Sequence, residues 1–118
     1  MIENASIIRV NDKDFKRQVI ESSLPVVVVF ERNCWGTAHL MHPIIENIAS
    51  EFVNKVKVFK YDLDENSAIS DFYRIENNIT ILIFNEGNIV NRTGVISREE
   101  FKNIINTCLN NSVKHGLI

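Results

Sequence analysis

The run Val26-Val27-Val28-Val29-Phe30 constrains this chain more than any other feature. Its β-branched residues favour an extended strand, whose side chains point alternately to opposite faces of a sheet. Such a strand is apolar on both faces, so it needs both faces covered, which is the position of a central strand between helical layers. Leu24-Pro25 ahead of it closes the preceding segment and leads the chain into the sheet.

The rest of the chain supplies layers to cover that strand. Ile7-Ile8-Arg9-Val10 is rich in β-branched residues and stops at Asn11-Asp12, after which Phe15, Val19 and Ile20 recur at helical spacing. From about Ala38 to Phe52, the residues Leu40, Met41, Ile44, Ile45, Ile48, Ala49 and Phe52 mark one helix face, with Pro43 expected to bend it. Val56 to Asp62 reads as a strand, and Asn66 or Ser67 opens a short helix through Ile69, Phe72 and Tyr73. Thr80 to Phe84, the turn Asn85-Glu86-Gly87-Asn88, and Ile89 to Thr93 form a hairpin, because so short a link cannot reach a parallel neighbour. Ser97-Arg98-Glu99-Glu100 is a capping box, and Phe101, Ile104, Ile105, Cys108 and Leu109 line the helix it starts. The order βαβαβαββα predicts an α/β fold: a mixed sheet in a three-layer α/β/α sandwich.

At 118 residues the chain has room for one domain, 1–118, with a core over about 7–109 and a tail at 110–118. Acidic and basic residues nearly balance, 15 against 13, and no basic cluster interleaves with aromatics, so nucleic acid is not an expected partner. The longest apolar stretch is far too short for a bilayer, and the N-terminus lacks a basic and apolar leader pattern, which predicts a cytoplasmic protein with no membrane partner. The only cysteines are Cys34 and Cys108, too few for a disulfide framework. His39 and His42 with Cys34 lack an evident fourth ligand, so no metal or other cofactor is expected. Three histidines and no phosphate-binding glycine loop give no support to hydrolase chemistry.

Val26 to Phe30, Pro43, Tyr61-Asp62-Leu63-Asp64-Glu65-Asn66, and Phe84-Asn85-Glu86-Gly87 with Gly94 resemble, in order and spacing, the signposts of the thioredoxin family. The resemblance runs from about Ile7 to Leu109 and implies the thioredoxin-like fold. It also implies departures at functional positions. The family's Trp-Cys-Gly-Pro-Cys site matches Cys34-Trp35-Gly36-Thr37-Ala38, which sets Trp35 and Ala38 at the two redox cysteine positions. Val29 stands at the family's buried acid and Ile79 at its cis-proline. A non-proline cis bond costs about 2.5–4 kcal/mol, so the Asn78–Ile79 bond is expected to be trans. Lys60 resembles the lysine that faces the lost acid, and with Val29 opposite it should reach water or meet Glu31. Shifting the match by one residue makes Cys34-Trp35-Gly36-Thr37 a Cys-x-x-Thr site instead.

These departures lead to the expectation of a redox-inactive module that binds a protein or extended peptide, as a chaperone or adaptor, rather than a dithiol–disulfide enzyme of the usual type. The expected surface is Trp35, Gly36, Thr37, Asn78, Ile79 and Gly94. The alternative is a single-cysteine redox or sensing protein in which Cys34, just ahead of a helix N-terminus, is the reactive thiol. A third reading, a structural subunit, rests on the Trp35 loop and on Ile89 to Thr93 as an edge strand. Cys108 lies among core positions and is expected to be inert.

Overall fold

The computed structural model describes residues 7–32 and 40–117, with side chains through residue 110. Strand β2 (Val26–Glu31) lies at the centre of a five-stranded sheet of order β1-β3-β2-β4-β5. It runs parallel to β3 (Lys57–Asp62), which in turn pairs in parallel with β1 (Ile7–Arg9). On its other side it is antiparallel to β4 (Ile79–Asn85), and β5 (Asn88–Thr93) closes that side as the edge strand. Four helices among the described residues complete the order βαβαβαββα: α1 (Lys16–Ile20), α2 (His42–Glu51), α3 (Ala68–Phe72) and α4 (Arg98–Leu117). This is the thioredoxin-like α/β fold. No helix among the described residues is long and apolar enough to cross a membrane.

Every residue of β2 is buried, as a strand apolar on both faces requires. The alternation of its side chains divides the core in two. Val27 and Val29, with Ile81 and Ile83 of β4, pack against Ile45 and Ile48 of α2 and Phe101 and Ile105 of α4. Val26, Val28 and Phe30 face the opposite way, onto Phe15, Val19 and Tyr61. Phe15 anchors that second half: its ring meets Phe84 at 5.7 Å and Tyr61 at 6.4 Å, both edge-on, the geometry aromatic quadrupoles prefer.

Several local readings need correction. Helix α2 runs from His42, with Pro43 in its first turn, where its missing N–H is no loss; Leu40 ahead of it is helical and Met41 a turn, so the helical path is interrupted beside Pro43, and the expected start at Ala38 lies outside the described residues. Leu40, expected on the buried face, is 66% exposed, and Phe72 is 75% exposed because α3 is too short to turn a second apolar row inward. Helix α1 is a single turn with π-type closure, Glu21 N–H donating to the Lys16 carbonyl at 3.0 Å.

Neither Asn66 nor Ser67 caps α3 with its own side chain. The cap is Asp12, whose carboxylate accepts from the amides of Ser67, Ala68 and Ile69 at 3.2, 3.0 and 3.0 Å and from the Tyr61 hydroxyl at 2.6 Å. Burial alone would push the Asp12 carboxyl up, but the Tyr61 hydroxyl and the three amides outweigh it and hold it below its ordinary range. The capping box of α4 forms as read, with Glu100 N–H donating to Ser97 Oγ at 3.1 Å.

Candidate functional site

The C-terminal end of β2, the start of α2 and the loop before β4 converge at one end of the sheet. Arg32 N–H donates to the Asn78 carbonyl at 2.9 Å, which ties the exit of β2 to that loop. The Asn78–Ile79 bond is trans, as expected, since no cis peptide occurs among the described residues. Ile79 is buried, and a Cβ placed on Gly94 would lie 3.8 Å from the Ile79 carbonyl. Of the proposed surface, Asn78, Ile79 and Gly94 are therefore neighbours. Cys34, Trp35, Gly36, Thr37, Ala38 and His39 lie outside the described residues.

Val29 lies opposite Lys60 on one side and Ile81 on the other, buried in the apolar cluster beneath α2 and α4. No acid stands there. Two residues on, and so on the same face of the strand, is Glu31, whose side chain is only 5% exposed. Its Oε2 meets Lys60 Nζ at 2.7 Å, so of the two fates expected for Lys60 the structure adopts the ion pair. The same carboxylate faces His42: Nε2 lies 3.0 Å from Oε2 and 3.2 Å from Oε1.

His42 and Lys60 stay partly open to solvent, with side chains 40% and 32% exposed, while the carboxylate between them is covered. A cavity of about 160 Å³ adjoins the group, walled on its apolar side by Ile7, Val29 and Ile45. The arrangement can hold a charge, accept or donate a proton, and admit a few water molecules.

Sequence reasoning named His42 only as a metal-ligand candidate, whereas its Nε2 is directed at Glu31. Among the described residues no cluster of three or more ligating side chains forms. The signal for the pairing was parity: Val27, Val29 and Glu31 share one face of β2, and Lys60 is the cross-strand partner of Val29. The helix start that brings His42 over this face left no comparable trace in the sequence. Cys108 lies in the apolar cluster beneath α2 and α4, buried, with its thiol pushed up by desolvation.

The thioredoxin family model matches residues 6–107. The chain belongs to the thioredoxin family. Among its relatives, the thioredoxin of Rickettsia felis is 42% identical over 78 residues, covering 66% of this chain and 74% of that protein. Thioredoxin 1 of Synechococcus elongatus is 37% identical over 78 residues, 66% of this chain and 73% of its own length. The thioredoxin of Haemophilus influenzae is 27% identical over 103 residues, which spans 86% of this chain and 96% of that protein. Relatives named thioredoxin correct the expectation of a redox-inactive chaperone or adaptor. The departures at Trp35, Ala38, Val29 and Ile79 suggest loss of redox function, but the relatives point to thiol redox chemistry on this fold.

Proposed function

We propose that this thioredoxin-family protein performs thiol redox chemistry through Cys34 as a single reactive thiol. The observation that carries the reading is family membership together with the placement of the thiols. Cys34 lies in the segment between β2 and α2, whereas Cys108 is buried with a raised pKa and is unsuited to attack. The Cys34 thiolate attacks a disulfide sulfur of a protein, peptide or glutathione. One S–S bond breaks, a mixed disulfide with Cys34 forms, and the other sulfur leaves as a thiolate that takes up a proton. An external thiol then resolves the mixed disulfide, since Cys108 lies on the core face of α4.

In this reading Trp35, Gly36, Thr37, Asn78 and Gly94 form the surface for the substrate, with Ile79 contributing its backbone, since its side chain is buried. A reducing cytoplasm supplies the resolving thiol. The deciding experiment is the pH dependence of Cys34 alkylation, read on the Cys34 peptide with Cys34→Ser as control. Labelling with an apparent pKa well below the ~8.5 of a free cysteine is expected. A rate no faster than that of the unfolded chain at every pH would overturn the reading.

A further inference from the structure

We propose that Arg92, on the edge strand β5, is a positioning residue for protein disulfides: it fixes the turn after α3, and with it the exposed loop Glu76-Asn77-Asn78 against which a substrate segment lies. The proposal rests on the single-thiol reading above, whose substrate surface includes Asn78, Ile79 and Gly94.

Strand pairing sets the side to which Arg92 points. It is the cross-strand partner of Leu82, which belongs to the apolar cluster that Ile69 and Tyr73 pack against, so Arg92 stands on the α3 face of the sheet. There its guanidinium donates from Nη1 to the Tyr73 carbonyl at 2.8 Å and from Nη2 to the Arg74 carbonyl at 2.9 Å. A planar guanidinium presents its donors in a rigid fork that spans two acceptors at once, which the point charge of a lysine does not reproduce.

The turn that Arg92 grips is strained. Helix α3 closes with Arg74 N–H donating to the Asp71 carbonyl at 3.1 Å and Ile75 N–H to the Ser70 carbonyl at 2.8 Å. That closure sets Arg74 at φ 56°, the left-handed region that glycine enters freely and a residue with a Cβ does not. It also leaves over the carbonyls of Tyr73 and Arg74, and these are the two that Arg92 takes. A residue persists in such a conformation when its surroundings over-determine it, and Arg92 supplies that hold from another element.

The link from this turn to the substrate surface is short. Ile75 is buried, and three residues later the Asn78 carbonyl accepts from Arg32 N–H at 2.9 Å. Only Glu76 and Asn77, both exposed, lie between those anchors, so the direction in which the chain leaves Arg74 sets where Asn78 and the Ile79 backbone lie. Gly94, two residues beyond Arg92, approaches the Ile79 carbonyl from the other side. One side chain therefore holds both halves of the surface in register.

The test follows Cys34 of the full-length chain reacting with insulin, a disulfide-bonded protein, and with DTNB, a small aromatic disulfide. In each, the Cys34 thiolate attacks one sulfur, the S–S bond breaks, a mixed disulfide forms and the other sulfur leaves as a thiolate. Arg92→Met keeps an apolar stem and removes the donors, and because Arg92 is exposed the core is untouched. It is expected to raise the insulin concentration for half-maximal rate about tenfold while the limiting rate and the DTNB rate stay within about twofold. Arg92→Lys should fall between the two, lacking the fork. Arg74→Gly adopts the left-handed turn unaided, so in that background Arg92→Met should shift the half-saturating concentration by no more than about twofold.

An unchanged half-saturating concentration in Arg92→Met, or equal slowing toward insulin and DTNB, overturns the proposal while keeping the thiol reading. A shift as large in the Arg74→Gly background as in the wild type means that Arg92 touches the substrate itself, and overturns the positioning role. A wild-type Cys34 no faster than the unfolded chain toward both disulfides overturns the thiol reading, and the positioning role falls with it.

Discussion

Asp12 does work that its place in the sequence does not advertise. It reads as a turn residue after β1, yet it satisfies three amide donors at the start of α3 and accepts from the Tyr61 hydroxyl. Asp12→Ala removes a helix cap, and a loss of about 1–2 kcal/mol is expected from urea unfolding at pH 7. Because folding lowers the Asp12 pKa, its contribution is fully present above the unfolded value of about 3.9 and is lost as pH falls through the lower folded value. The stability difference between wild type and Asp12→Ala should accordingly shrink below about pH 4; a difference that stays constant down to pH 2 would refute the assignment. Glu31 is the converse case. Its inward parity was readable and its pairing with Lys60 was one of two expected outcomes, but His42 joins it only through the angle at which α2 crosses the sheet.

Elements form where local chemistry and pattern agree. The β4–β5 hairpin turns through Glu86 and Gly87 with φ of 54° and 82°, the paired left-handed conformation of a type I′ turn. Gly87 is needed twice over, because an added Cβ would also lie 3.1 Å from the Ile20 carbonyl of α1. Gly87→Ala is expected to cost about 1–2 kcal/mol in thermal unfolding. Glu86→Gly should tolerate the same region without a Cβ clash and lose much less, or gain slightly. Reversal of that order would mean that the turn is not what positions β5. The capping box of α4 was equally legible, since its bonds are local. Helix α2 was legible as a helix, and its expected start at Ala38 lies outside the described residues; among those described, Leu40 keeps the apolar spacing yet is exposed.

At the scale of the molecule, the buried central strand organises two apolar layers, and the two cysteines have different standing because of it. Cys108 lies beneath α4 with Phe101 and Ile105, 7% exposed, and burial raises its thiol pKa. In the native state DTNB should therefore modify Cys108 only after α4 opens, at a rate that rises with urea. Cys34 should react without that dependence, and rapid native labelling of Cys108 would contradict the packing. The sequence by itself determined the element order, the central place of Val26 to Phe30, the turn and the final cap, because these follow from periodicity and from contacts between near neighbours. It also carried the family resemblance, though the departures within the site suggested lost redox function, and only the named relatives corrected that. The tertiary structure decided the cap on α3 and the Glu31–His42–Lys60 cluster. Each joins residues far apart in the chain, and which polar groups meet there depends on how helices cross the sheet, a geometry that hydrophobic spacing does not encode.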